Sequence, residues 1–182
     1  MSNTSATGGY LQPTGTDVEY DKDLALIIQA AIAGVTGIDG SLVRRKYQPT
    51  TPKMPENTVN WFAYHIHSTV PDDGPAIVHH DGHDENIRHE ALNVLCTAYG
   101  PNGDKNASLL RDGLSIPQNM EYLRKKGLFL ISVGESISVP EFINQSWVRR
   151  FDVLVVFKRK VSRDFAVLNI ASAKKPEITA DH

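Results

Sequence analysis

The segment from Trp147 to Val161 constrains the fold most, because it has the length and the alternation of one long β-strand. Successive side chains of a strand point to opposite faces. One face would carry Trp147, Arg149, Phe151, Val153, Val155 and Phe157, and the other Val148, Arg150, Asp152, Leu154, Val156 and Lys158. The central stretch is apolar on both faces, which predicts an inner strand of a sheet.

A first helix is predicted to begin at Asp21, which is suited to cap the first turn. Its apolar residues follow the spacing of one helix face: Leu24, Ile27, Ile28, Ala31 and Ile32. Gly34 and Gly37 are suited to end it. A second helix is predicted from Asn106, with Ala107, Leu110 and Leu114 on one stripe, and a short third one between Pro117 and Lys126, stopped by Gly127.

Runs of β-branched and aromatic residues predict four further strands, at 58–69, 87–98, 128–133 and 165–171. In the second of these, Leu92, Val94 and Cys96 share one face. Three prolines between Gln48 and Asn57 predict a loop before the first strand, and residues 71–74 (Pro-Asp-Asp-Gly) predict a turn after it. The expected fold class is α+β, with a largely antiparallel sheet of about five strands and helices on one face or both.

The domain organisation follows from length and composition. A chain of 182 residues fits a single domain. Residues 1–17 are rich in Gly, Ser and Thr, so we expect a flexible N-terminal arm there. Residues 18–173 would form the α/β domain, and residues 174–182 a polar C-terminal tail.

Charge and cysteine content exclude several functional classes. The formal net charge is −2, whereas a free-standing DNA-binding protein usually has a strong basic excess. The single cysteine, Cys96, excludes an intrachain disulfide and a multi-cysteine zinc site. There is no apolar run of about 18 residues and no secretory signal at the start, so we expect no membrane association and assembly in the cytoplasm.

Histidines are clustered between residues 79 and 89, which raises the possibility of a metal site. Imidazole and carboxylate groups are suitable metal ligands, and a metal-dependent enzyme is one interpretation of His79, His80, His83 and His89. However, the spacing matches no rigid metal motif, and Asp81 and Gly82 favour a solvated hairpin tip. His65 and His67 share a strand face, where an interface role is the simpler interpretation.

Other catalytic signals are missing from the sequence. Cys96 lies among apolar residues, Ser132 and Ser138 lack a Gly-x-Ser-x-Gly context, and there is no phosphate-binding glycine loop. We therefore predict no enzymatic activity, no catalytic residue, no bound metal and no cofactor. The basic side chains are the better candidates for contacts with subunits or neck proteins: Arg111, Arg149, Arg150, Lys158 and Arg159. A charged strand end that discourages unwanted pairing is the alternative interpretation.

Three segments occur together in a recognisable order. The first, residues 88–101, ends in Tyr-Gly-Pro; the second, residues 110–123, contains Asp-Gly-Leu-Ser-Ile-Pro-Gln-Asn; the third, residues 147–153, contains Arg-Arg-Phe-Asp. In this order and spacing the chain resembles the neck and tail-terminator proteins of long-tailed bacteriophages, from about Leu24 to Ala173.

The resemblance implies a structural subunit of the virion, with no catalytic residues. Such subunits assemble into a ring, usually a hexamer, at the head-proximal end of the tail, where the ring stops polymerisation of the tail tube and docks the head connector. The implied partners are further copies of the chain, the tail tube protein, head–tail connector or adaptor proteins and, in a contractile tail, the sheath. Another neck layer, such as a head-completion or collar protein, is the alternative.

DNA would pass through such a ring without sequence-specific binding. Six copies carrying −2 each sum to −12, and an acidic ring has no general affinity for the phosphate backbone.

Overall fold

The computed structural model describes residues 3–16, 18–50, 52–143 and 145–167. These residues form three α-helices, one 3-10 helix and nine strands. In chain order they are β1 (Pro13–Thr16), α1 (Asp21–Thr36), the 3-10 helix (Gly40–Leu42), β2 (Val43–Arg45), β3 (Trp61–Pro71), β4 (Ala76–His80), β5 (His83–Tyr99), α2 (Gly103–Leu114), α3 (Glu121–Lys125), β6 (Phe129–Ser138), β7 (Glu141–Ile143), β8 (Ser146–Val148) and β9 (Arg150–Phe165).

Two long antiparallel strands, β5 and β9, form the centre of a seven-stranded sheet. They pair without a break from Asp84 with Phe165 to Tyr99 with Arg150. β3 and β4 lie beside β5, β2 lies beside β3, and β6 and β1 lie beside β9. Among the described pairings only that of β2 with β3 is parallel. The α+β class and the largely antiparallel sheet are therefore confirmed.

Helices cover one face of this sheet and form the main core with it. The buried sheet residues Leu92, Val94 and Cys96 of β5 lie beside Val155 and Phe157 of β9. The helices contribute the apolar stripes predicted from their spacing: Leu24, Ile27, Ile28, Ala31, Ile32, Ala107, Leu110 and Leu114. Burial of these side chains is the main favourable term for folding, because each removes apolar surface from water.

The predicted end of α1 agrees with the structure, but the predicted cap at its start does not. Gly37 follows α1 with a φ of 71° and donates its N–H to the carbonyl of Ala33. Asp21 was expected to be the cap, but it is the first residue of the helix, with a φ of 47°. Tyr20 occupies the capping position and its side chain makes no capping hydrogen bond, so α1 begins without the predicted cap.

The expected strand 147–161 is divided in the structure. Arg149 lies between β8 and β9, and β8 pairs with β7 in a separate two-stranded sheet. Trp147 is therefore not on the core face with Phe151; its side chain is 69% exposed. Val148, the next residue, is buried against Trp61 in a second, smaller cluster. The strand prediction failed here because alternation alone does not show where a chain changes from one sheet to another. β5, with 17 residues, is also longer than β9.

The two ends of the chain differ partly from expectation. Residues 13–16, inside the predicted arm, form β1 and pair antiparallel with the end of β9. Phe165 belongs to β9 rather than to a separate last strand, and residues 166 and 167 are in no strand. The rest of the predicted strand 165–171, and the predicted tail 174–182, lie outside the described residues.

Candidate assembly surface

The sheet continues beyond the helices as a four-stranded segment, which we call the extension. It consists of β4, residues 83–90 of β5, residues 159–165 of β9, and β1, in the spatial order β4-β5-β9-β1. The sheet residues of the main core reach only as far as Leu92 on β5 and Phe157 on β9. The extension therefore lies beyond the main core, although Val161 within it is fully buried.

β4 and β1 form opposite edges of the extension and lie at the same height along it. Three rows of paired residues cross all four strands: Ile77-Asn86-Arg163-Thr16, Val78-Glu85-Asp164-Gly15 and His79-Asp84-Phe165-Pro13. Among the described strands, β4 pairs only with β5 and β1 only with β9. In the part of the chain that the structure describes, no strand covers the outer side of either edge strand, so its backbone groups can pair with a further strand.

β4 exposes apolar side chains on both of its faces. All five of its residues are exposed; Ile77 and Val78, which point to opposite faces, are 55% and 39% exposed. Its register with β5 has no bulge. An exposed, regular, apolar edge strand is unusual in a protein that remains alone, because such an edge readily pairs with another chain.

The helix-free face of the sheet has balanced charge near the extension. Lys158, Lys160, Glu85 and Asp164 all point to this face, because alternation and cross-strand pairing place them on the same side. Lys160 lies 3.4 Å from Glu85, whose pKa is lowered chiefly by a hydrogen bond from Ser162. Two positive and two negative groups leave this part of the face without net charge.

Arg159 and Glu90 form a salt bridge at the base of the extension, on the face of the sheet that the helices cover. Their salt bridge measures 3.0 Å, and the two side chains are 5% and 12% exposed. Arg159 also donates to the carbonyl of Glu19 at 2.7 Å, and its guanidinium lies 4.6 Å from the ring centre of Tyr20. These contacts occupy the guanidinium within its own chain.

The other basic residues predicted to make contacts are dispersed. Arg150 is held by Glu141 at 2.6 Å and Asp152 at 2.7 Å, and the hydrogen bond to Asp152 raises its pKa. Arg149 donates to the carbonyl of Pro101 at 3.1 Å. Exposed positions are held by Lys158 on β9 and by Arg111, which pairs with Asp112 on α2. The structure does not bring the five residues together in one patch.

The histidine cluster forms a hairpin tip whose side chains pair separately with carboxylates. Asp81 and Gly82 make the turn between β4 and β5, as the sequence indicated. His79 lies 2.8 Å from Asp84, His80 lies 3.5 Å from Glu85, and the His80 ring stacks on His83 at 4.8 Å. In the described part of the chain, no three His, Cys, Asp or Glu residues are arranged to hold a metal ion.

The other predicted histidine pair, His65 and His67, lies on β3. Their ring centres are 5.9 Å apart in an edge-on arrangement. The Nδ1 atom of His65 is buried and has no hydrogen-bond partner, and burial together with nearby Lys46 lowers the pKa of this imidazole. Both effects favour the neutral form of His65 over the charged one.

A second exposed apolar feature is the β7–β8 hairpin. Phe142 and Trp147 are directly paired across its two strands and point outward, with ring centres 5.2 Å apart. They are 61% and 69% exposed, while Ile143 and Val148 point inward onto Trp61. Exposed Trp and Phe side chains are frequent anchors of protein–protein interfaces, so this hairpin is a further candidate contact.

The remaining group with catalytic potential, the Cys96 thiol, is enclosed in the main core. It is 2% exposed, and burial raises its pKa to about 12, so the reactive thiolate is strongly disfavoured. Within the described residues, no helix combines the length and the apolar character needed to span a membrane.

Sequence reasoning identified the hairpin tip but not the two features that stand out in three dimensions. The segment Ala76-Ile-Val-His-His before Asp81-Gly82 is a usable signal for β4, because Asp-Gly between two such runs indicates a two-residue hairpin. The outward pairing of Phe142 and Trp147 had no comparable signal, since the segment appeared to continue into the long strand.

Comparison with known proteins agrees with the family suggested by the sequence. A family model described as phage neck terminator protein matches residues 22–181, which is most of the chain. No curated protein matches it. The match covers α2, α3, all of α1 except Asp21, the whole of the main core and the extension except β1. The chain therefore belongs to the phage neck terminator proteins, a family of structural proteins of the phage neck.

Proposed function

We propose that this chain forms a closed ring at the head-proximal end of the phage tail, where it ends polymerisation of the tail tube and joins the tail to the head connector. The ring has six copies, as the resemblance implies. The chain does so as a structural component and catalyses no reaction. Its partners are further copies of itself, the tail tube protein, connector or adaptor proteins and, where the tail contracts, the sheath.

The observation that carries this proposal is the pair of open edges on the extension. A ring of identical subunits needs a head-to-tail interface, in which two different surfaces of one subunit are complementary and the rotation closes. β4 and β1 are two different strands at opposite edges of the extension, and they span the same three rows of paired residues. A subunit with this arrangement can contact one neighbour on each side.

The charge of the helix-free face supports passage of the genome through the ring. A channel lined by Lys158, Lys160, Glu85 and Asp164 presents no net charge to DNA. Because affinity for duplex DNA depends largely on neutralising phosphates, such a lining contacts DNA weakly and lets it slide. Of the basic residues predicted for neck contacts, Arg111 and Lys158 are the most available, since Arg150 and Arg159 are held by carboxylates of their own chain.

The experiment that tests the proposal is the mass of the purified protein by light scattering, alone and with its tail tube protein. Six copies of the 20.1 kDa chain give about 121 kDa. A closed ring, or a monomer that assembles only on tube ends, is expected. A monomer that ignores the tube would contradict the terminator role and favour another neck layer, such as a head-completion or collar protein.

A matched experiment addresses the metal-dependent enzyme alternative. Replacing His79, His80 and His83 together by alanine removes the tip imidazoles and leaves the β4 backbone in place. We expect virion assembly to be retained. Loss of assembly together with loss of a bound metal, measured by mass spectrometry of the purified protein, would instead favour a metal site. Circular dichroism of the triple variant checks that the fold is retained.

A further inference from the structure

We propose that β4 of one copy pairs antiparallel with β1 of the next copy, so that the extension continues as one sheet from subunit to subunit. This inference rests on the proposed ring and names its interface. The partner is a second copy of this chain, and the recognition is backbone hydrogen bonding between strands, with Ile77 and Val78 covered by the neighbour.

The backbone of β4 is oriented for this role. The two-residue turn at Asp81-Gly82 makes His80 and His83 a hydrogen-bonded pair, and such pairs alternate with non-hydrogen-bonded ones along an antiparallel ladder. Val78 is thus bonded to β5, whereas the N–H and C=O of Ile77 and His79 point away from it. The outer edge therefore offers regularly spaced donors and acceptors.

The remaining two edges of the sheet are less suited to pairing. β6 shifts register twice against β9, between Leu130 and Ser132 and between Val133 and Ser136. β2 has three residues and is followed at Tyr47 by a backbone with a φ of 59°. Bulges and short strands are the usual means by which proteins prevent pairing at an edge. β4 has neither feature. β1 is short and has one register shift, but Gly15 and Thr16 stay in regular rows with β9.

β1 is the partner whose position and direction fit. β5 is antiparallel to β4, β9 to β5, and β1 to β9. The strands therefore alternate in direction across the extension, and β4 placed beside the β1 of a neighbour continues this alternation. β4 and β1 span the same three rows. A neighbouring copy that is rotated about an axis parallel to the strands therefore places its β1 level with β4 of the first copy. The register shift at Pro13 leaves the rows at Gly15 and Thr16 regular.

Cross-linking between two introduced cysteines tests the pairing. Ile77 and Thr14 lie at opposite edges of one extension, three strand spacings or roughly 14 Å apart, which is too far for a bond within one chain. With the rows aligned, Ile77 lies beside Thr16 of the next copy, and Thr14 lies two residues further along β1. In Ile77→Cys/Thr14→Cys, a short bis-maleimide that spans this offset should therefore give a ladder of covalent species up to the copy number of the ring. The reagent tolerates a small shift of register, and native Cys96 is buried and should not react.

Two control variants make the cross-linking result specific. Ile77→Cys/Leu109→Cys places the second thiol on the exposed side of α2, away from the extension, and should give no ladder. Ile77→Cys alone should remain uncross-linked. A covalent dimer from this single variant would show that β4 pairs with β4 of another copy, and would overturn the proposal.

A proline at position 77 tests the backbone contribution. Ile77→Pro removes an outward N–H and leaves the ladder between β4 and β5 intact, because proline is tolerated where the N–H faces out from an edge strand. We expect the ring to dissociate at least tenfold more readily by sedimentation, with an unchanged unfolding midpoint. Ile77→Val keeps the N–H and should assemble normally.

The outcomes separate this inference from the proposed function. Rings that form normally in Ile77→Pro, without cross-links between positions 77 and 14, would overturn the strand pairing and leave the ring in place. Ladders without a closed species would support the pairing and contradict the closed ring. A chain that neither assembles nor cross-links, with the tube protein present or not, would overturn both.

Discussion

Glu90 and Arg159 form a 3.0 Å salt bridge with both side chains nearly buried, at the point where the helix-covered sheet gives way to the extension. The pair connects the two central strands directly, because residues 90 and 159 are opposite each other in the β5–β9 register. Glu19 and Tyr20, just before α1, contact the same guanidinium. One side chain thus ties the start of the first helix to the base of the extension.

Replacing Arg159 alone should destabilise the fold strongly. Arg159→Leu leaves the Glu90 carboxylate buried without its partner, and we expect a loss of about 3–5 kcal/mol in the free energy of unfolding. Urea denaturation measures it. The double variant Arg159→Leu/Glu90→Leu should lose less than the single one, because no unpaired charge remains; equal losses would show that the salt bridge is not the cause.

The two large aromatic residues Phe157 and Trp147 should differ sharply in their contribution to stability. Phe157 is 3% exposed in the main core, so Phe157→Ala should cost about 3–5 kcal/mol. Trp147 is 69% exposed on the hairpin, and Trp147→Ala should cost less than about 1 kcal/mol. Thermal unfolding of both variants compares them. A large loss for Trp147→Ala would place its ring in the core, as alternation alone had indicated.

Gly100, in the Tyr-Gly-Pro turn, should not accept a side chain. Its φ is 100°, and an added Cβ would lie 2.4 Å from the carbonyl oxygen of Val59. Both the conformation and the contact oppose alanine, so Gly100→Ala should cost more than about 1 kcal/mol. Gly40→Ala is the matched control, since no atom lies within 4 Å of its added Cβ. Similar denaturation midpoints for the two variants would contradict this account of the turn.

Stability should fall at alkaline pH because burial raises the pKa of three side chains, Cys96, Tyr64 and Tyr99. Burial raises the pKa of Cys96 from 9.0 to about 12 and that of Tyr64 from 10.0 to about 12. The folded chain keeps protons that the unfolded chain releases, so their stabilising contribution is complete below about pH 9 and lost as the pH rises toward 12.

For Cys96 alone we expect a loss on the order of 1 kcal/mol between about pH 8 and about pH 10. Urea unfolding of the wild type and of Cys96→Ala at the two pH values isolates this term. The variant should show a smaller decrease; identical decreases would rule out the thiol as its origin.

Deleting residues 1–16 should weaken assembly without unfolding the domain. The deletion removes β1, which contacts only the end of β9 among the described strands and contributes no residue to the main core. Circular dichroism should show a folded chain, and sedimentation should show fewer or less stable rings. Assembly equal to that of the full chain would dismiss this segment as a contributor.

The features that the sequence predicted correctly depend on patterns within a single helix, strand or turn. The stripe of α1 from Leu24 to Ile32 and the alternation of Leu92, Val94 and Cys96 are periodicities of a single element, and both proved to face the core. Likewise, Gly37 and the Asp81-Gly82 turn mark their positions through backbone conformation, which depends on neighbouring residues. The composition and three short segments were sufficient to indicate the family.

Relations between distant segments were decided only by the tertiary structure. The sequence from Trp147 to Val161 has the pattern of one continuous strand, yet the chain leaves one sheet at Arg149 because the β7–β8 hairpin packs Val148 against Trp61. The predicted contact residues Arg150 and Arg159 proved to be held by carboxylates up to 69 residues away. The alignment of β4 and β1 arises from pairing across β5 and β9, more than 60 residues apart along the chain. Local periodicity reports which face a residue takes, whereas burial, ion pairing and open edges depend on which segments meet.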